Sequence, residues 1–329
     1  MDMKSHFEGS KVLITGGLGF IGSNLAEQLL DCGAEVTVLD SLIPDYGGNL
    51  FNIEPFRDRL HVNISDVRDT YSMRHLVQGK DYLFNLAGQT SHLDSMTNPV
   101  PDLEINCHAQ LSILEACRVC NPQIKIAFAS TRQLYGRPER LPVDETHPLN
   151  PVDVNGINKM AGEKYHLLYH QVHGMKTTAL RLTNTIGPRM RIKDARQTFV
   201  GIWIRRLLEN QPIEVWGGEQ LRDFTDVDDA VEAFLLAAAS PKTEGEVYNL
   251  GGNEVVDLVS LAKLLVEVNG AGRYVIREFP PERHAIDIGN YYSDFSKIRS
   301  QLGWEPRRAL RDTIQRTLAF YRESLRHYV

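Results

Sequence analysis

The sequence predicts an α/β fold: a doubly wound parallel sheet followed by a smaller α/β C-terminal lobe. Three observations carry that expectation. Aliphatic and β-branched runs of strand length alternate with stretches at helical spacing through the first half of the chain. A glycine-rich turn follows the first of those runs directly. Beyond Gly187-Pro188 the alternation gives way to a basic stretch and mixed elements.

The elements follow in order. KVLITGG (11–17) is the first strand, GSNLAEQLLDCG a helix, and EVTVLD (35–40) the second strand. LHVNIS, YLFNLAG, KIAFAST and TTALRL are later short strands, and strand–helix–strand units of this kind join by right-handed crossovers. LSILEACRVC is an amphipathic helix, and another runs through PVDVNGINKMAGEKY (151–165). RMRIKDARQTF then precedes a helix, VGIWIRRLLENQ, and the stretch PIEVWGGEQLRDF, while VYNLGG returns to the sheet. Residues 1–186 are therefore assigned to the sheet domain, with 224–252 returning to it, and 187–223 and 253–329 mostly to the smaller lobe. The two should meet in a cleft at the carboxyl ends of the strands, where such folds bind ligands.

Composition narrows the function classes. The chain has 329 residues, 42% hydrophobic and 24% charged, with a formal net charge of −6. That balance gives no general grip on nucleic acid or anionic membrane. No apolar run approaches the roughly 20 residues of a membrane helix. The opening MDMKSHFEGS does not read as a secretory leader, so a cytoplasmic location is expected. Of four cysteines (Cys32, Cys107, Cys117 and Cys120) the last two form a lone C-x-x-C without a second pair or neighbouring His. A buried helix face is the expectation there, with neither metal nor disulfide.

TGGLGFIGSNL places Gly16, Gly19 and Gly22 after the first strand and at the start of a helix that begins with Phe20 and Ile21. The first glycine permits the tight turn, the second lets backbone approach a pyrophosphate, and the third lets helix and strand pack closely. Asp40 ends the second strand, where it would accept from the adenosine ribose hydroxyls and repel a 2′-phosphate. A Rossmann-type site for NAD rather than NADP follows. Asp66 and Val67 in SDVRD are placed at the adenine, and Leu86, Ala87 and Gly88 in NLAG against the middle of the cofactor.

Taken together, GGLGFIG, Asp66-Val67, NLAG, STRQLYG (130–136), Asn155 to Lys159, RLTNTIGPR (181–189), RDFTDVDD (222–229) and DFSKIRSQLGWEP resemble the extended short-chain dehydrogenase/reductase family. These are the nucleotide-sugar epimerases and dehydratases, and the resemblance covers nearly the whole chain. It implies bound NAD, a nucleoside-diphosphate sugar in the cleft and a homodimer built through two long helices. A Ser/Thr, a Tyr and a Lys carry the redox step in that family. Thr131 and Lys159 match the first and last, but Asn155 stands at the tyrosine position. A phenol beside an ammonium group can act as a base, and an amide cannot. Arg132 and Gln133 stand where the dehydratases carry acidic residues, which argues against an ordinary 4,6-dehydratase.

Three residues are candidates for the missing proton work. His92 in QTSHLDS reads either as an acid–base group, the role to which a histidine side chain is suited near neutral pH, or as a loop histidine bound to backbone. Tyr135 of LYG is a second candidate that is more often structural. Asp153 is a base or, preferably, a helix N-cap. By the same resemblance Asn184, Arg222 and Arg283 contact the diphosphate. Val215 and Trp216 flank the nucleobase, with Trp216 equally suited to the lobe's core. Arg189, Arg191, Lys193 and Arg196 read as a lid over the diphosphate or as a solvated loop. The expected activity is epimerase-like isomerisation of a nucleotide sugar with bound NAD. The alternatives are a redox-silent mutase interconverting pyranose and furanose rings, and a non-catalytic NAD or nucleotide-sugar binder.

Overall fold

The computed structural model describes residues 2–329, with the side chains of residues 282 and 283 outside that description. Seven parallel strands form the main sheet. They are β1 (Lys11–Thr15), β2 (Glu35–Asp40), β3 (His61–Ile64), β4 (Tyr82–Asn85), β5 (Lys125–Thr131), β6 (Lys176–Leu182) and, far along the chain, β10 (Val247–Asn249). Their spatial order is β3-β2-β1-β4-β5-β6-β10. Central strands such as β1 are buried almost end to end, because helices cover both faces of the sheet and leave no side for water. The order reverses between β1 and β4, and a crevice opens there at the carboxyl ends of the strands.

Two small sheets build the lobe. β7 (Asn184–Ile186) pairs in parallel with β9 (Leu221–Asp226), which pairs antiparallel with β11 (Val255–Asp257). β8 (Ile213–Trp216) pairs with β12 (Tyr274–Arg277). The boundary expected at residue 186 therefore falls slightly late. The chain leaves the main sheet at Leu182, and β7 already belongs to the small sheet. At the return, helix Val227–Ala239 packs on the main sheet and β10 joins its edge, while Phe224–Asp226 stays with the lobe. One apolar core runs through both parts, from Val12 and Phe84 to Val215, Leu261 and Leu318, so lobe and sheet are held together by shared burial.

Two helices matter most for the site. Helix Phe20–Asp31 starts at Gly19, its N-terminus pointing into the crevice beside the glycine turn. Helix Val154–His173 is capped by Asp153, whose Oδ1 accepts from Gly156 N at 2.6 Å, and it ends at Gly174 with a left-handed φ of 65°. Among the described residues no helix is long and apolar enough to cross a membrane.

Candidate active site

One cleft gathers most of the residues singled out in the sequence. Its walls include Gly16, Gly19, Phe20, Ile21, Gly22, Asp40, Asp66, Val67, Leu86, Ala87 and Gly88 at one end, and His92, Thr131, Arg132, Gln133, Asn155, Lys159 and Asn184 at the other.

The glycine end has the form of a cradle. Gly16 has a φ of +69°, and a Cβ there would stand 3.0 Å from Ala87 N. A Cβ on Gly22 would run into Gly16 O and stand 2.8 Å from Gly17 Cα, so helix and turn touch only because that side chain is absent. Asp40 is 9% exposed, and its carboxylate accepts from Leu18 N at 3.1 Å and Leu42 N at 3.0 Å. Burial raises its pKa, against the pull of those backbone donors. Asp66 is bound by Arg68 at 2.7 Å, which holds its carboxyl below the usual range.

At the other end Lys159 lies in the floor. Its Nζ donates to Ala129 O at 3.1 Å and stands 5.1 Å from the Phe128 ring. Gly88 makes room for it, since a Cβ at that position would come within 2.9 Å of Nζ. Burial lowers the Lys159 pKa to about 8, with Asp102 opposing. Thr131 ends β5 and its Oγ1 accepts from Gln133 N at 3.2 Å, turning the next residues along the cleft wall. Arg132 Nη1 donates to Thr183 Oγ1 at 3.2 Å, while its buried Nε has no hydrogen-bond partner. Burial depresses the Arg132 guanidinium, with Asp223 as the main opposing charge.

Asn155 is 3% exposed, and its amide is already committed. Nδ2 donates to Gln89 O at 2.8 Å and to Asp102 Oδ2 at 2.8 Å. Asn158 donates to the other Asp102 oxygen at 2.8 Å. Asp102 is 1% exposed, so the two amides of one helix supply the hydrogen bonds that a buried carboxylate requires. No sequence signal pointed to Asp102 or Gln89, because their role depends on a contact made only in the folded chain.

Several expected site residues sit elsewhere. Tyr135 is fully buried; its hydroxyl donates to Asn249 Oδ1 and accepts from Arg181 Nη1, both at 2.6 Å, and its pKa is pushed up to about 12 by burial. It is a core residue and not an acid–base group. Val215 is likewise fully buried, where it faces side chains of the core. Trp216 ends β8 partly exposed. Arg189 pairs with Glu27 at 2.7 Å and lies against the Phe56 ring, which takes it from the substrate set. Arg222 is buried, and it donates to Leu221 O at 2.9 Å, to Gly289 O and to Asp287 Oδ1 at 3.2 Å. Burial and the nearby Arg132 lower its pKa to about 10. Arg283 falls on the short helix Pro281–His284, and its side chain lies outside the described residues.

The arginines of the basic stretch are held by acidic partners, and Lys193 is the one of the four that is exposed to solvent. Arg191 pairs with Asp194 at 2.6 Å and donates to Tyr46 O at 2.6 Å. Arg196 pairs with Asp45 and, at 3.0 Å, with Asp94. These contacts tie the stretch to the 44–46 loop, and Tyr46, Gly47, Gly48, Gln197 and Thr198 become cleft walls that the sequence had not indicated. Among the described residues no group of three or more His, Cys, Asp or Glu is placed to hold a metal ion. Cys117 is buried in the helix Ala109–Cys120, and the cysteines are free.

Known proteins place this geometry. The putative UDP-glucose 4-epimerase of Methanocaldococcus jannaschii is 33% identical over 319 residues, covering 96% of this chain and 99% of that one. An epimerase from Methanothermobacter thermautotrophicus superposes with a TM-score of 0.92 at 25% identity, over 99% of this chain and 96% of that one. UDP-glucose 4-epimerase of Thermotoga maritima, solved with UDP-glucose, gives 0.88 at 30% identity, over 96% and 99%. Residues 12–251 match the NAD dependent epimerase/dehydratase family. That match and the likeness to the epimerase of M. jannaschii along nearly the whole chain show that the chain belongs to that family.

Proposed function

We propose that the chain is an NAD-dependent isomerase of a nucleoside-diphosphate sugar, epimerase-like in its reaction. The observation that carries this is the convergence of Thr131, Lys159 and His92 on one end of a cleft whose other end is a dinucleotide cradle. The residues fit NAD: the glycines leave backbone open to a pyrophosphate at a helix N-terminus, and Asp40 stands at the strand end, where its carboxylate would repel a 2′-phosphate. When bound, NAD supplies the acceptor and donor of hydride. Lys159 would hold the nicotinamide ribose and would add positive charge there. Thr131 holds the sugar hydroxyl, and Asn184 with Arg132 lies along the path of the diphosphate and sugar. Asn155 takes no proton; it fastens Asp102 beneath the site.

Incubation of the purified chain with a panel of nucleotide sugars, followed by NMR of the products, tests the proposal. The sugars carry deuterium at the oxidisable carbon. Inverted product with transient NAD reduction in single turnover supports the isomerase. Ring-contracted product without NAD reduction would instead establish the redox-silent mutase. Binding without turnover of any sugar would leave only a ligand-binding protein.

A homodimer is part of the proposal. Ile157, Leu168 and Val172 on helix Val154–His173 and Val100 and Leu103 on the neighbouring helical segment are all between 47% and 61% exposed. Apolar side chains at positions 157, 168 and 172 share one helix face, and such a stripe is suited to burial against a second copy.

A further inference from the structure

We propose that His92 and Asp153 form an acid–base dyad, with His92 Nε2 exchanging protons with the sugar hydroxyl and Asp153 as its positioning residue. The substrate rests on the isomerase proposal above; the pairing itself does not.

His92 opens the short helix His92–Thr97, and its side chain is 35% exposed on the cleft wall. Nδ1 stands 2.7 Å from Asp153 Oδ2. Asp153 is 3% exposed and its two oxygens have different tasks. Oδ1 caps the long helix through Gly156 N, whereas Oδ2 is buried with no aligned hydrogen-bond donor. A carboxylate oxygen in that position is destabilising unless a donor meets it. The imidazole nitrogen is at hydrogen-bond distance from the oxygen, with its N–H out of line. Such bonds are often loose before substrate arrives. Gln133 Nε2 is 3.3 Å from both ring nitrogens, and a group equidistant from the two cannot lie along either lone pair. With Nδ1 turned to Asp153, Nε2 is the nitrogen left for the cleft.

The pairing has three consequences. The carboxylate selects the Nδ1–H tautomer, so the neutral ring offers a lone pair at Nε2. It also stabilises the imidazolium that forms when Nε2 takes the hydroxyl proton. In that step the O–H bond breaks, an N–H bond forms, and the carbon gives its hydride to the cofactor; the reverse returns both. Finally, Asp153 caps the helix that carries Asn155 and Lys159, so one residue sets His92 in register with the floor lysine. Two other carboxylates near this region already have partners, Asp94 in Arg196 at 3.0 Å and Asp102 in Asn155 and Asn158, while the cations of the same cleft are Lys159 and Arg132. Asp153 is thus the carboxylate left to hold His92.

The test uses the full chain labelled with ¹⁵N-histidine. The neutral His92 ring should show the Nδ1–H tautomer, and Asp153→Asn should move it towards Nε2–H, because an amide NH2 then faces Nδ1. Asn keeps the helix cap, and Asp153→Ser, which also caps but does not reach the ring, serves as the second variant. In turnover, His92→Gln should lower kcat by about 10²–10⁴ with KM little changed. Asp153→Asn should lower kcat about tenfold or more with KM little changed. An Nε2–H tautomer in the wild type, or a tautomer that neither Asp153 variant changes, overturns the dyad. So does unchanged kcat in His92→Gln while the wild type isomerises its sugar, a result that leaves the isomerase standing. If the wild type turns over no nucleotide sugar, the isomerase proposal fails, and the tautomer still decides the pairing.

Discussion

Asn155 stands where the resemblance to the family puts a tyrosine, and in this structure its amide donates to a buried carboxylate, Asp102. Asn155→Ala should destabilise the fold by about 1–3 kcal/mol, because Asp102 Oδ2 then loses a donor without gaining water. Asn155→Tyr should not restore a phenolate base; the ring must displace the Gln89–Asp102 contacts, and both melting temperature and turnover should fall. A gain in turnover would show that the site still awaits its tyrosine. Lys159 makes the complementary point. Its folded pKa, about 8, lies below its ordinary 10.5. Below about pH 8 it is charged in both states and carries the full burial penalty. Between about pH 8 and 10.5 the unfolded chain holds more protons, so the Lys159 contribution to stability rises with pH. Lys159→Met, compared with wild type by chemical denaturation of the cofactor-free chain, should be more stable near neutral pH. The advantage should approach, at full scale, roughly 3 kcal/mol and shrink towards pH 10. NAD affinity should fall in the same variant.

At the scale of the element, the glycine turn is where sequence and geometry agree most closely, since each glycine answers a local steric demand. Gly22→Ala should push helix Phe20–Asp31 off the turn, because its new methyl meets the backbone of Gly16 and Gly17, which has little freedom to move. Calorimetry should show NAD binding weakened at least tenfold, with a lowered melting temperature; wild-type affinity would mean that helix and turn separate easily. The strands of the main sheet were legible because parallel, doubly covered strands are apolar along their whole length. β7 was not, since three residues after a strand look like its continuation, and only the partner β9 decides which sheet they join. The cationic run from Arg189 to Arg196 misled for a related reason. Charge is visible in sequence, but its neutralisation by Glu27, Asp45, Asp94 and Asp194 depends on residues up to 162 positions away. The same holds for His92 and Asp153, 61 positions apart in the chain and 2.7 Å apart in the fold. Candidate residue types were readable, and their pairings were not.

For the whole molecule, the shared core makes lobe and sheet one unit, and the apolar stripe on helix Val154–His173 is the face that this core does not use. That helix also carries Asn155 and Lys159 and is capped by Asp153, so an assembly formed on its outer face would brace the inner one. Leu168 and Val172 lie one turn apart, 49% and 61% exposed, about three turns beyond Ile157. Replacing both by Glu leaves the core untouched and sets two charges in any surface that buries the stripe. Burying them unpaired would be strongly unfavourable, so a dimer built there should dissociate. Analytical ultracentrifugation should report a dimer for the wild type and a monomer for Leu168→Glu/Val172→Glu, with circular dichroism spectra that coincide. If helix bracing matters to the site, the monomer should also bind NAD more weakly than the dimer, although neither substitution touches the cleft. A wild type that sediments as a monomer, or a variant that remains a dimer, would remove this face from the assembly.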